Sequence, residues 1–234
     1  MLPVAILAGG LATRLRPVTE AIPKALVDVA GRAFIEWQLD YLHSQGVRHV
    51  VLCLGYLGEQ IEELIGDGQR FGLRVDYSYD GDRLLGTGGA LKKALPLLDA
   101  DFFVFYGDSY LPIGFVDVAL SFRTQGLPAL MTVLKNGNRW DKSNVLFSEG
   151  RLLEYNKHAP SEEMAYIDYG LGVLSAEVLL GYPEDHPFDL AEVYHRLSLD
   201  GRLAGYEVFE RFYEIGSFEG LKETTEFLTK GINK

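Results

Sequence analysis

The chain has 234 residues, 47% hydrophobic and 24% charged, an ordinary globular composition with length enough for one large α/β domain. Its formal net charge of −11 argues against general nucleic-acid binding, which needs a basic face. The single cysteine, Cys53, excludes a disulfide framework or a cysteine zinc site within the chain and reads as a buried inert thiol; no apolar run reaches the roughly 18 residues of a membrane span, and Met1-Leu2-Pro3 carries no charged n-region or cleavage site, so a cytoplasmic protein is expected.

The first half alternates strand and helix patterns. Val4-Ala5-Ile6-Leu7 is an apolar run that predicts a buried parallel strand. It opens into Gly9-Gly10-Leu11-Ala12-Thr13-Arg14-Leu15-Arg16-Pro17, followed by Pro23-Lys24-Ala25-Leu26. The glycines let the backbone turn tightly and approach a ligand closely, and N–H groups in such a loop can cradle phosphate oxygens. Arg14, Arg16 and Lys24 add cations, and a nucleoside triphosphate is the natural client of that combination. The spacing is neither a Walker A loop nor G-x-G-x-x-G. Phe34, Ile35, Leu39 and Leu42 then fall at helical spacing, closed by Gly46. His49–Leu54 reads as a strand, Ile61, Leu64 and Ile65 as a short helix, Leu73–Tyr77 as a strand, Thr87–Leu98 as a helix and Phe102–Tyr106 as a strand. Repeated βα units of this kind imply a parallel sheet with helices on both faces.

The second half is richer in strands. Ala129–Leu134, Ile167–Leu174 and Leu203–Phe209 read as strands, and Asn144–Phe147 and Leu152–Tyr155 flank a hairpin turn at Ser148-Glu149-Gly150-Arg151. Helices are predicted at Phe115–Thr124, Leu190–Leu199 and Phe218–Leu228. With no linker between the halves, a single α/β domain over residues 1–234 is expected, Rossmann-like, its mostly parallel sheet flanked by helices. Asp108 follows the Phe102–Tyr106 strand, and ligands of open α/β sheets bind beyond the carboxyl ends of the strands. A carboxylate beside a triphosphate suggests a magnesium ligand, although Asp is also common in βα turns. The five histidines show no metal-ligand spacing.

Leu7-Ala8-Gly9-Gly10, Thr13-Arg14-Leu15, Pro17 and Pro23-Lys24 together resemble the opening motif of the sugar-1-phosphate nucleotidyltransferases, and the resemblance runs from Leu7 to Gly216. It implies a GT-A-like domain with a nucleotide-binding half over 1–110 and a sugar-phosphate-binding half over 111–234. Gly107-Asp108 is similar to the family's metal-binding G-D motif. Phe212-Tyr213-Glu214-Ile215-Gly216 stands where the family commonly has W-x-D-[IV]-G, with Glu214 replacing the second metal-binding Asp. Gly86-Thr87-Gly88-Gly89 looks like the segment that contacts base and ribose, and Glu154-Tyr155-Asn156-Lys157 like the E-K-P region, whose Lys holds the sugar phosphate. Asp168-Tyr169-Gly170 resembles the N-x-G segment, placing Asp168 and the Gly170 backbone at the sugar hydroxyls.

The resemblance therefore implies catalytic roles for Arg14, Lys24 and Asp108, and nucleotide binding by Leu7, Ala8, Gly9, Gly10, Thr13, Arg14, Gly86, Thr87, Gly88 and Gly89. It implies sugar-phosphate binding by Lys24, Lys157, Asp168 and Gly170, and a Mg²⁺ ion on Asp108 and Glu214. The partners it implies are an NTP and a sugar 1-phosphate, with no nucleic acid or membrane, and it leaves room for a homodimer. The implied reaction turns these substrates into an NDP-sugar and pyrophosphate. Leu85–Ala90 looks most like the heptose guanylyltransferases, so GTP with a heptose or hexose 1-phosphate is expected. The alternatives are UTP or CTP with another phosphorylated acceptor, or a non-catalytic nucleotide-sugar-binding homologue. The last would be expected to have lost Arg14, Lys24 or Asp108, and all three are present. Asp99-Ala100-Asp101 spells a glycosyltransferase D-x-D but precedes its strand, and so reads as a solvated turn. Little chain follows Gly216, so the form with a C-terminal β-helix is not expected.

Overall fold

A computed structural model of the protein describes residues 1–11 and 13–232; Ala12, inside the glycine loop, lies outside them. The elements in chain order are β1 (Val4–Leu7), β2 (Asp28–Val29), β3 (Arg32–Ala33), α1 (Phe34–Ser44), β4 (His49–Leu54), α2 (Gly58–Ile65), β5 (Arg74–Tyr79), α3 (Gly86–Ala94), β6 (Asp101–Tyr106) and β7 (Ser109–Tyr110). They continue with α4 (Phe115–Gln125), β8 (Ala129–Lys135), β9 (Val145–Ser148), β10 (Arg151–Tyr155), β11 (Tyr166–Ser175), α5 (Glu177–Leu180), α6 (Leu190–Leu199), β12 (Leu203–Val208), β13 (Tyr213–Glu214) and α7 (Phe218–Ile232).

The expected α/β sandwich is what forms. Strands β5, β4, β1 and β6 lie side by side and parallel, and β11 joins β6 antiparallel. Beyond β11 stand β8 and then β12, paired parallel, while β9 and β10 form the hairpin expected around Gly150. The central strands are apolar throughout because helices cover both faces. Their side chains alternate between two cores. Val4, Ile6, Val50, Leu52, Phe103 and Phe105 face α1, α2 and α4, whereas Ala5, Val51, Cys53, Phe102 and Val104 face α3 and α6.

Two local features depart from the sequence expectation. The helix expected over Thr87–Leu98 stops as α3 at Ala94 and tightens into a 3₁₀ turn, Leu95–Leu97, because Pro96 brings no N–H to continue the ladder. The short β7–β13 ribbon, pairing Ser109 with Glu214 and Tyr110 with Tyr213, has no sequence periodicity to announce it. Its consequence is large, since it returns the end of the chain to the carboxyl edge of the sheet. A third small core, with Leu15, Val27, Phe34, Ile215 and Leu228 buried together, seats α7 against the base of the glycine loop.

The turn between β6 and β7 carries Asp108 and is clamped from below. Gln38, fully buried on α1, donates through Nε2 to the Tyr106 carbonyl at 3.1 Å and to the Ser109 carbonyl at 2.7 Å. Gln38→Leu leaves both carbonyls unpaired inside the protein. It should lower unfolding stability by about 1–3 kcal/mol, read as a lower urea midpoint at constant m-value. An unchanged midpoint would show that the clamp carries no net stability.

Candidate active site

Register places the site. Leu7 of β1 lies opposite Tyr106 of β6, so the glycine loop and Gly107-Asp108 leave the sheet side by side. The Gly107 N–H donates to the Leu7 carbonyl at 3.0 Å, and the Ala8 N–H to the Cys53 carbonyl at 2.9 Å. The backbones here run too close for side chains. A Cβ on Gly107 would stand 2.8 Å from the Leu7 carbonyl oxygen, and one on Gly9 would stand 2.9 Å from the Gly55 nitrogen.

Two cavities open at this edge. The smaller, about 260 Å³, is lined by Leu7, Ala8, Gly9, Gly10, Gly86 and Thr87, together with Ala25, Cys53, Asp80, Leu84 and Ala90. The larger, about 770 Å³, is lined by Thr13, Arg14, Lys157, Asp168, Gly170 and Glu214. Trp140, Asp141 and Lys142, from the loop between β8 and β9, and the aromatic rings of Tyr155, Tyr169 and Phe212 complete its wall. Lys24, Tyr106 and Asp108 line both cavities, so they stand at the boundary. There the Lys24 ammonium donates to Asp108 Oδ2 at 3.0 Å, with both side chains partly exposed.

Most of the sequence-predicted residues are thus brought together, but Thr13 and Arg14 stand in the larger cavity rather than beside the other nucleotide residues. Gly88 and Gly89 are not brought to either lining. A Cβ on Gly88 would press within 2.3 Å of the Phe188 ring, and one on Gly89 would approach the His186 carbonyl at 2.8 Å. Their N–H groups donate to the Phe188 carbonyl at 3.0 and 3.3 Å. These two glycines let the start of α3 pack against the segment before α6. Asp99-Ala100-Asp101 lies at the amino end of β6, with Asp101 accepting from the Ser175 hydroxyl at 2.6 Å, at the far end of that strand from Asp108.

Glu214 is held beside Asp108 by β-pairing. The Ile215 N–H donates to the Asp108 carbonyl at 2.9 Å. The Glu214 carboxylate is turned onto its own chain, accepting from the Gly216 N–H and, at 2.9 Å, from the Ser217 hydroxyl. Among the described residues no group of three or more His, Cys, Asp or Glu gathers tightly enough to hold a metal ion by itself. Two neighbouring carboxylates and the Ser109 hydroxyl in one polar cavity do fit Mg²⁺, which usually completes its shell with phosphate oxygens and water.

Burial tunes the remaining acids. The Cys53 thiol is pushed up to about 12, chiefly by burial, which makes it inert. Asp80, invisible as a site residue in the sequence, is raised by burial against the pull of the Leu85 N–H and Lys93. Its Oδ2 accepts from the Leu85 N–H at 3.0 Å. Asp168 is pushed up to about 6 by burial, against the Gly170 N–H, which donates to Oδ1 at 3.0 Å, and the nearby Lys157 charge.

Comparison with known proteins agrees with this geometry. The family described as nucleotidyl transferase matches residues 4–139, more than half of the chain, and the protein belongs to that family. The chain is similar to the D-glycero-alpha-D-manno-heptose 1-phosphate guanylyltransferase of Campylobacter jejuni, 29% identical over 188 residues, covering 80% of this chain and 82% of the relative. It is also similar to the UTP–glucose-1-phosphate uridylyltransferase of Synechocystis sp., 27% identical over 219 residues, but spans only 56% of that protein's length against 87% of its own. A crystal structure of HddC from Yersinia pseudotuberculosis complexed with GMP-PN shares the fold with a TM-score of 0.79 at 25% identity, covering 97% of this chain and 100% of that one.

The Asp168 environment gives a pH-dependent stability. Its folded pKa lies above the unfolded value, so its contribution is fully present below about pH 4 and is lost as pH rises through about 6. A two-unit shift is worth at most about 3 kcal/mol, and partial exposure reduces it. Asp168→Asn removes the burden of the ionised form. It should raise Tm by roughly 2–6 °C at pH 8 and by much less at pH 4. Thermal melts showing the same change at both pH values would contradict a strained carboxylate.

Proposed function

We propose that this protein joins an NTP to a sugar 1-phosphate, releasing pyrophosphate and an NDP-sugar. The observation that carries the reading is the meeting of two cavities at Lys24 and Asp108, one floored by the glycine loop and the other walled by Lys157, Asp168 and aromatic rings. The sugar phosphate oxygen attacks the α-phosphorus in line as pyrophosphate leaves, and no general base is needed because the nucleophile is already an anion. Lys24, at the boundary, holds the α-phosphate and the incoming oxygen together. Arg14 meets the charge that develops on the leaving pyrophosphate. Lys157 orients the sugar phosphate while Asp168 and the Gly170 backbone receive sugar hydroxyls. Asp108 and Glu214 would hold Mg²⁺, whose chemistry is to neutralise phosphate charge.

The nucleotide we propose is GTP. Asp80 lines the smaller cavity, and an ionised carboxylate only accepts hydrogen bonds. Guanine presents two neighbouring donors, N1–H and the N2 amino group. Uracil and thymine present one N–H between two carbonyls, and cytosine and adenine an amino group beside a ring acceptor. The guanylyltransferase relative and the HddC structure with GMP-PN support the same choice; the uridylyltransferase relative supports UTP as the second reading. A heptose or hexose 1-phosphate is the acceptor proposed.

The test is pyrophosphate release by pure protein with Mg²⁺, each of the four NTPs and a panel of sugar 1-phosphates. GTP should turn over fastest. Asp80→Asn, which replaces one acceptor oxygen with a donor, should lower kcat/KM for GTP by about 5- to 150-fold, as expected for losing ~1–3 kcal/mol of base discrimination. Faster turnover with UTP in the wild type would overturn the guanine reading while leaving the reaction class intact. Arg14→Ala should cost at least ~10-fold in kcat, consistent with a charge-assisted contact of roughly 1.5–3 kcal/mol, with Tm unchanged because Arg14 is exposed.

A further inference from the structure

Asp189 lies on neither cavity wall, yet its carboxylate touches a residue of each. Oδ1 accepts from the Thr87 hydroxyl at 2.7 Å and from the Ala191 N–H at 3.0 Å, and Oδ2 accepts from the Lys157 ammonium at 3.1 Å. Thr87 lines the smaller cavity and Lys157 the larger. The Leu190 N–H donates back to the Thr87 hydroxyl at 2.8 Å, and the Phe188 N–H to the Leu85 carbonyl at 3.0 Å. The start of α3 and the start of α6 are therefore stitched together around this one side chain.

Capping α6 requires only the contact of Oδ1 with the Ala191 N–H. The bonds to Thr87 and Lys157 are additional to that task. Burial alone would raise the Asp189 carboxyl, but the Ala191 N–H, the Thr87 hydroxyl and Lys157 outweigh it and hold it below the ordinary range. The carboxylate is thus an anion at neutral pH and a fixed anchor for a lysine whose side chain is about half exposed. A free lysine side chain samples many rotamers, and the anchor removes that freedom. An ammonium has three donors, so Lys157 can keep Asp189 and still donate to a phosphate.

We infer that Asp189 is a positioning residue that fixes Lys157 at the sugar-phosphate cavity from the Thr87 wall of the nucleotide cavity, so that a change in one cavity's wall is felt as binding in the other. This rests on reading the larger cavity as the sugar 1-phosphate site. Its particular consequence is that Thr87, on the nucleotide side, governs affinity for the sugar phosphate.

The experiment measures pyrophosphate release with NTP and sugar 1-phosphate varied separately, for wild type, Asp189→Asn, Thr87→Val, Thr87→Ser and the double variant Thr87→Val with Asp189→Asn. Asp189→Asn keeps an oxygen for the α6 cap but removes the charge that holds Lys157. It should raise KM for the sugar 1-phosphate by about 2- to 5-fold, the range of a partly exposed ion pair, with KM for NTP and Tm little changed. Thr87→Val should raise the same KM, Thr87→Ser, which keeps the hydroxyl that reaches Asp189, should keep the sugar-phosphate KM below that of Thr87→Val whatever it does to the NTP KM, and the double variant should bind sugar phosphate no worse than Asp189→Asn alone. An active wild type whose variants keep the sugar-phosphate KM overturns the inference alone. So does a lower Tm with both KM values moved alike, the mark of a purely structural cap. A wild type that releases no pyrophosphate with any NTP and sugar 1-phosphate overturns the functional reading and the inference with it.

Discussion

The parallel pairing of β1 with β6 is the constraint on which the site depends. With Leu7 opposite Tyr106, the glycine loop and the Asp108 turn leave the sheet at the same level. Two groups distant in sequence, Lys24 and Asp108, then fall within ion-pairing distance. A one-residue slip would turn every β1 side chain to the opposite face, exchanging Val4 and Ile6 with Ala5 between two differently shaped cores. The register is therefore held by packing far below the site. The close approach of Gly107 to the Leu7 carbonyl, which leaves no room for a Cβ, is the visible cost of that alignment at the surface.

The ion pair at the boundary contributes little to stability. Both partners are partly exposed, and pairs of that kind contribute on the order of 1 kcal/mol or less. In the proposed reaction it would hold an ammonium and a carboxylate ready at the point where phosphate charge is brought in and redistributed. Residues behind it carry the structural load. Gln38 clamps the carbonyls on either side of Gly107-Asp108, and the Leu15, Ile215 and Leu228 core presses the returning chain end against the glycine loop.

The sequence made the framework readable because its strands are apolar on both faces and its helices are punctuated by glycine. The parallel strands, the hairpin at Gly150 and the longer helices of both halves lie where periodicity places them, apart from the end of α3 at Pro96, the end of α7 beyond Leu228 and the unannounced short helix α5. At the site, a dense motif marked the glycine loop, Lys24, Asp108 and Thr87, and the fold brings these to the cavity linings. The packing of Gly88 was not legible, because a glycine admits a ligand and a neighbouring aromatic ring equally well, and here the neighbour is Phe188. Asp80, Gln38 and Asp189 were missed for a different reason. Each acts through contacts with residues distant in the chain or through a cavity that only the tertiary fold creates, and an isolated Asp or Gln has no spacing to signal that.

The two cavities differ in how they are built, and this difference decides what each can vary. The smaller one is lined largely by backbone and small side chains at the ends of β1 and β6 and the start of α3, all inside consecutive βα units. Changing its shape means changing the sheet. The larger one draws Arg14, Trp140, Lys157, Asp168, Phe212 and Glu214 from loops and strands spread along almost the whole chain. Its Asn136–Ser143 loop is braced internally, with Asn136 donating to the Asp141 carbonyl at 2.6 Å and accepting from the Trp140 N–H at 3.2 Å. Lys142, exposed on this loop, can therefore be exchanged without disturbing the sheet, whereas Trp140 packs against Phe212 and the sheet's core. In the proposed reaction, such a division sets the nucleoside against the rigid parallel core and the acceptor against loops that can vary more freely. It also explains why the sequence motifs point so directly to nucleotide chemistry and so weakly to the sugar.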